Sequence, residues 1–457
     1  MIGRTARNEI SEIQADRNCL APRSARGVGD EESEKCKVKS EKFKDVSIDT
    51  LPFTKCIPAH WRIVPLKYSM DILDYLREPI TAGQRPQSNP IYDYYGASGV
   101  IDKIDFYNVE DKVLLIGEDG ANLVLRNLPL VYKASGRFWV NNHAHILKPK
   151  FDDYDFMAYQ LEAMDYYLYI TGAAQPKLSQ ENLRKVRLLQ PPLVEQRAIV
   201  AYLDEKCGKV DRLVAAKEKE AALLKELKQS MIAEAVCGKV KVKGEGEQRK
   251  MKPSGIQWLS EVPEGWEVKT LRQFLKMVSR KGFPDKQLLS VTRENGVVVR
   301  NVESKEENHN FIPEDLSKYK LVEVGDFAIN KMKSWQGSYG VSEFEGIVSP
   351  AYYICKLSGV DKNFFSVAIR SKPYVSFFAR FSKGIRVDQW DLSPIALKEI
   401  PFLLPPLAEQ REIVAHIEAR AAKIDAAVKG LEREVAALKE YKQRLIADVV
   451  TGQRKVA

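Results

Sequence analysis

"PPLVEQRAIVAYLDEKCGKVD" occupies residues 191–211, and "PPLAEQREIVAHIEARAAKID" occupies residues 405–425. The offset is 405 − 191 = 214 residues, and 26 of the 52 positions in 191–242 match 405–456 without a gap. This is an internal duplication, and a repeat of that length organises the whole chain. A Pro-Pro pair stands ahead of each copy, because proline is accepted at a helix start and not inside one. Each copy closes near a glycine, Gly238 and Gly452, the residue that most easily ends a helix.

Within the copies, seam positions recur every seven residues. The first reads Leu203, Val210, Lys217, Leu224, Met231, and the second Ile417, Ile424, Leu431, Leu438, Leu445. Val214 and Ala221, then Val428 and Val435, fill the +4 positions. Sustained heptads predict a coiled-coil seam. Lys217 is its polar intruder, and Gly208 weakens the first helix locally. A helix of roughly 40 residues is about 60 Å long and needs a partner. The twin copy is the expected partner, antiparallel and within one chain. A homodimeric zipper is the competing reading, but one chain already supplies both strands.

The 457 residues allow two or three domains, and 44% apolar content supports real cores. "CIPAHWRIVPLKYSM" (56–70) echoes "EVPEGWEVKTLRQFL" (261–275), with Pro58 and Trp61 matching Pro263 and Trp266. The layout is therefore a head, a long helix, a second head and a second long helix, with approximate two-fold symmetry about the helix pair. The boundaries read as a polar, unstructured extension at 1–50, a head at 51–190 and a helix at 191–238. A linker at 239–255, a head at 256–404, a helix at 405–452 and a tail at 453–457 follow. Short strands punctuated by Gly and Asn turns, with some helix, make each head α+β. Beyond their shared entrance the heads differ, which suggests that the helices set spacing and the heads set specificity.

A net charge of +9 suits a polyanionic partner. No segment is a polybasic tail, so nucleic acid would be met by shaped sites on folded heads. In the first head the candidates are Lys133, Ser135, Arg137, Asn141, Asn142 and His143, near Phe138 and Trp139, together with Lys177. In the second they are Lys331, Lys333, Trp335 and Gln336 of "INKMKSWQGS", together with Arg386. Lys and Arg neutralise phosphates or read guanine, and Asn and Gln read adenine. Ordinary strand-edge polarity over core aromatics is the competing reading.

Catalytic patterns fail. "NPIY" at 89–92 has the wrong third residue for an adenine-methyltransferase Asn-Pro-Pro-aromatic motif, and no F-x-G-x-G loop accompanies it. Pro284-Asp285 with Glu303-Ser304-Lys305 only mimics a Mg²⁺ nuclease core. No phosphate-binding G-x-x-x-x-G-K-[ST] loop exists, and "GEDGAN" at 117–122 reads as a turn. His143 and His145 lack further ligands at metal-binding spacing. Cys19, Cys36, Cys56, Cys207, Cys237 and Cys355 are scattered without a C-x-x-C pair. With no secretory core and no long apolar run, they point to a reducing cytoplasm.

The doubled "PPL-x-EQR-x-IV", the paired endings "MIAEAVCGK" and "LIADVVTGQ", and "FWVNNHAHIL", "INKMKSWQGS" and "IVSPAYYI" together resemble the specificity subunit of type I restriction–modification enzymes. The resemblance covers the chain from about residue 55 onward; residues 1–50 match nothing in that family. It implies two target-recognition domains joined by two long antiparallel helices, each domain reading one half of a bipartite DNA site. It implies a non-catalytic chain that binds two methyltransferase subunits and restriction/translocase subunits. S-adenosylmethionine, ATP and Mg²⁺ would sit on those partners. Glu195, Gln196, Arg197, Glu409, Gln410 and Arg411 become candidates for partner docking, or alternatively for a buried network at each head–helix junction.

Overall fold

The computed structural model describes residues 43–47, 54, 56–81, 90–172, 176–240, 249–256, 259–302, 312–384 and 390–456. The chain divides into two units, one of residues up to Lys217 together with Arg433 onward, the other Glu218–Glu432.

Unit 1 opens with β1 (Phe43–Asp45) paired antiparallel to β2 (Cys56–Pro58). β1 lies inside the segment expected to be unstructured, so the fold begins by Phe43. β3 (Arg62–Pro65) pairs with β10 (Arg187–Gln190), bringing the head's entrance and exit together. Between them lie β4 (Met70–Ile72), β5 (Tyr92–Gly96), β6 (Gly99–Ile104), β7 (Val109–Gly117), β8 (Val131–Val140) and β9 (Ala144–Pro149). They form one sheet in the order β4-β9-β7-β8-β5-β6, antiparallel except for the β5–β8 pair. β7 is central and buried on both faces. Leu114 and Ile116 join the core that holds α1 (Tyr154–Ala163), while Val113 and Leu115 join a second core with Phe138 and Val140. Asp153 caps α1, and Ser179 caps α2 (Gln180–Lys185). The long helix α3 (Leu193–Val236) then leaves the head.

In unit 2, β11 (Met251–Ile256) pairs with β12 (Leu259–Pro263). The second head thus begins about five residues before the expected boundary, because β12 needs this partner for its backbone groups. β13 (Glu267–Thr270) pairs with β22 (Pro401–Leu404), as β3 pairs with β10. The interior holds β14 (Leu275–Val278), β15 (Leu289–Thr292), β16 (Gly296–Val299), β17 (Lys320–Val322), β18 (Phe327–Asn330), β19 (Tyr339–Val341), β20 (Gly346–Val348) and β21 (Tyr352–Leu357). Four of them form a sheet ordered β14-β21-β18-β19. α4 (Lys362–Ile369), capped by Asp361, and α5 (Lys372–Phe381) pack an aromatic core against it. Tyr339 stacks on Phe378 with centroids 4.0 Å apart. α6 (Pro394–Glu399), capped by Ser393, precedes β22 and the second long helix, α7 (Leu407–Val450).

Both long helices have 44 residues, about 66 Å each. Within unit 1 the start of α3 lies beside the end of α7; within unit 2 the end of α3 lies beside the start of α7. Each is therefore paired antiparallel with its twin. Leu203, Val210, Met231, Ile417 and Leu445 are buried in these seams, and Leu224, Ile424, Leu431 and Leu438 are half-buried. Lys442 reaches both Asp211 oxygens at 2.7 Å in unit 1. Lys228 reaches those of Asp425 at 2.8 and 2.6 Å in unit 2. Lys442 is 214 residues beyond Lys228, and Asp425 is 214 beyond Asp211, so the same ion pair is made twice. Lys217, the intruder, turns its amine out to Glu434. These pairs are partly exposed, so their main effect is register. Asp211→Lys should cost about 0.2–1 kcal/mol, and adding Lys442→Asp should recover most of it; a double-mutant cycle on thermal unfolding checks the coupling.

Each helix ends against the entrance of a head. Gly452 has φ +72°, and a Cβ there would lie 2.5 Å from Pro58 Cδ in unit 1. Gly238 has φ +73°, with Pro263 Cδ at the same 2.5 Å in unit 2. In unit 1 the tail adds a staple, Gln453 Nε2 donating to the Cys56 carbonyl at 2.6 Å. Gly452→Ala and Gly238→Ala should each destabilise by about 2 kcal/mol or more, from left-handed strain plus overlap. Thermal melts that stay within a degree of the parent would contradict this.

Candidate nucleic-acid interface

The E-Q-R triplet is where each helix is bolted to its head. Gln196 and Gln410 are 1% and 3% exposed. Gln196 Nε2 donates to the Pro191 carbonyl at 2.9 Å, and its Oε1 accepts from the Asp153 amide at 2.7 Å. Gln410 repeats this, with Pro405 O at 2.8 Å and the Asp361 amide at 2.9 Å. Asp153 and Asp361 are the caps of α1 and α4, so one glutamine locks Pro-Pro, helix and head together. Neither glutamine presents a surface to a partner, because both ends of its amide are consumed inside. Glu195 faces His60 Nε2 at 2.8 Å. Glu409 accepts from Trp266 Nε1 at 2.9 Å and pairs with Arg249. Arg197 is exposed, and Arg411 is 70% exposed with Asp361 at 3.8 Å.

In unit 1 the candidate residues fall into two groups at opposite ends of β8. Lys133, Ser135 and Arg137 share one face by the two-residue strand period and are exposed. Lys133 pairs with Asp155 at 2.6 Å, and Arg137 with Glu110 at 3.0 Å over the Tyr107 ring. Asn141, Asn142 and His143 lie at the other end, in the β8–β9 turn. Asn142 and His143 are exposed, whereas Asn141 is buried, accepting from the His143 amide at 2.8 Å. His143 Nδ1 faces Asp119 at 3.2 Å, and Lys177 faces Glu118 at 3.5 Å. Arg77 joins them, donating to Glu118 at 2.9 Å and to the Asn142 carbonyl at 3.3 Å. Phe138 and Trp139 are core residues, with the indole donating to the Glu78 carbonyl at 2.8 Å. This turn cluster carries both donors and acceptors, as base-edge reading requires.

A buried pair supports the cluster. Asp74 Oδ2 meets His145 Nδ1 at 2.6 Å, and His145 Nε2 meets the Leu178 carbonyl at 2.7 Å. Asp74 also accepts from the Ile146 amide at 3.0 Å and Gln180 at 3.2 Å. Burial alone would raise the Asp74 carboxyl; the His145 hydrogen bond and charge, the Ile146 amide and Arg77 outweigh it and hold it below its usual range. His145 is thus a structural post. No group of three or more His, Cys, Asp or Glu among the described residues could hold a metal.

In unit 2, Lys331, Lys333, Trp335 and Gln336 follow β18 on one loop. Lys331 pairs with Asp391 at 3.2 Å, and Trp335 lies against Trp390 with centroids 5.2 Å apart. Lys333 is exposed, and Trp335 and Gln336 are half-buried. Arg386, Asn89 and the Glu303-Ser304-Lys305 triplet lie outside the described residues. The four described cysteines are buried and none is in a disulfide; burial pushes the thiols of Cys207 and Cys237 up to about 11 and that of Cys355 to about 12.

Residues 61–223 match the model of the type I restriction modification DNA specificity domain. A Methanocaldococcus jannaschii protein, the type I restriction enzyme MjaVIII specificity subunit, is 25% identical over 329 residues, covering 68% of this chain and 72% of that one. Over most of its length the chain is similar to type I restriction–modification specificity subunits. The Escherichia coli EcoDI specificity subunit is 19% identical over 422 residues, 87% of this chain and 89% of that one. A Haemophilus influenzae relative named for the same subunit is 32% identical, but only over 36% of its own length. A solved chain of a type I R-M system shares the fold, with a TM-score of 0.57 and 14% identity, over 87% of this chain and 99% of that one. No described helix of this chain is long and apolar enough to cross a membrane.

Proposed function

We propose that this chain is a type I specificity subunit, the non-catalytic DNA reader of its complex, each head reading one half of a bipartite, asymmetric site. The observation that carries this is the junction built twice: the same glutamine lock, Pro-x-x-Trp entrance and capped helix recur in both units, while the loops they carry differ. One scaffold with two different readers suits two different half-sites. The long helices act as spacer, and their exposed faces, with Arg197 and Arg411, dock two methyltransferase subunits and, through them, restriction/translocase subunits. S-adenosylmethionine, ATP and Mg²⁺ belong to those partners. Heads reading one face of the duplex place half-sites about one helical turn apart, with unread bases between. Methylation of adenine requires the base to leave the stack, so the assembled complex distorts the duplex.

Mapping N6-methyladenine in cells that co-express this chain with its methyltransferase tests the reading. An asymmetric two-part motif with a fixed gap, absent without this chain, is expected. A motif that persists unchanged without the chain would end the proposal. Exchanging Asn142 and His143 for alanine should relax one half of the motif by about 1–3 kcal/mol of discrimination per lost contact, leaving the other half intact.

A further inference from the structure

Beside one end of the four-stranded sheet of unit 2, the neighbouring strand β17 and its flanks gather cations that are spread over fifty residues of sequence. Lys320 opens β17, and its Nζ donates to the Tyr352 carbonyl at 2.7 Å. Tyr352 opens β21 opposite Asn330, whose Nδ2 reaches the Tyr352 hydroxyl at 3.3 Å. Lys331 follows Asn330 directly. The Leu321 amide bonds the Arg280 carbonyl at 2.8 Å, which brings Lys281 alongside Lys320. Burial first, then the charges of Lys281 and Lys331, hold the Lys320 amine below the ordinary lysine range. The charge of Arg300 also acts on the Tyr352 hydroxyl.

Among the described residues the acid that pairs with one of these lysines is Asp391, and Lys331 takes it. Glu323 and Asp326 are held by Arg280. A half-buried ammonium among other cations is unfavourable until an anion completes it. Folding alone does not demand a lysine at this position, since a neutral side chain would avoid that cost. The Tyr352 carbonyl uses one Lys320 proton and leaves two for an acceptor. A phosphate oxygen suits a compact point charge of this kind, whereas bidentate base reading favours Arg, Asn or Gln.

We propose that Lys320, flanked by Lys281 and Lys331, is a phosphate contact for the DNA bound by the second head. The inference rests on the DNA-reading role above and adds a residue to it. The test is the salt dependence of affinity, measured on the full chain with its methyltransferase subunits. One duplex carries the methylated motif and another has unrelated sequence. Lys320→Gln should weaken both to a similar degree and reduce the log–log salt slope by about one unit. Lys281→Gln, at an exposed position, should act in the same direction. Lys356→Gln, a surface lysine of β21, should leave the slope unchanged. Unchanged slope and affinity in both the Lys320 and Lys281 variants would overturn the inference. So would a changed base preference with the slope intact, which would mark a base contact. A parent complex without any salt slope would instead overturn the DNA-reading role itself.

Discussion

Trp266→Ala should destabilise unit 2 by about 3–5 kcal/mol, lowering its melting point by roughly 8–16 °C for a unit of this size. Trp266 is fully buried where β12, the end of α3 and the start of α7 meet. Its indole donates to Glu409, and Arg249 lies over the ring at 5.2 Å. Trp61 holds the matching place in unit 1 and is 1% exposed, but its indole nitrogen has no hydrogen-bond partner among the described residues. The two tryptophans therefore separate packing from hydrogen bonding. Alanine should be severe at both. Phenylalanine should cost more at 266 than at 61, by about 1 kcal/mol, because only there does it remove a bond to a partly buried carboxylate. Equal melts for Trp266→Phe and Trp61→Phe would show that the Glu409 bond contributes nothing.

The same tryptophans show how far the sequence could be read. Helix lengths, direction and seam followed from Pro-Pro starts, heptads and terminal glycines, because helix rules are local. The Pro-x-x-Trp echo marked the entrances for the same reason. The heads share more than their entrances, however. Ser179 and Ser393 cap equivalent helices, and Leu188-Leu189 and Phe402-Leu403 fill equivalent exit strands. In those strands burial is kept at both positions but identity at one, Leu189 and Leu403, so identity faded while geometry persisted. Gln196 and Gln410 were open to partner docking or to a buried junction network, because a repeated polar triplet on a helix does not say which. Their partners, the α1 and α4 caps, lie about 40 and 50 residues upstream, and no spacing rule joins them. Arg77, Glu118, Lys281 and Lys320 were missed for a related reason. Each is an ordinary polar residue until strand pairing sets it beside another.

Asp74→Ala should cost unit 1 about 3–5 kcal/mol, because it strips a buried carboxylate from the Arg77 guanidinium and from its hydrogen-bond donors. Asp74 is 8% exposed and ties together His145 and the Ile146 amide of β9, Gln180 of α2 and its own neighbour Arg77. Its folded pKa is held below the unfolded value of 3.8. The stabilisation is therefore complete above the unfolded value and is lost as pH falls through the lower folded value. Between about pH 5 and 8 it should not vary. Asp74→Asn should flatten the acid limb of a stability–pH curve and leave its neutral part parallel to the parent's. An acid limb of unchanged steepness would mean that other carboxylates dominate it. The pair also fixes the segment next to Asn142 and His143, and through Leu178 the bridged segment that carries Lys177. If those loops read DNA, Asp74→Asn should blur one half of the methylation motif at a temperature where the protein is still folded. A sharp two-part motif from that variant would separate the stability of this head from its reading.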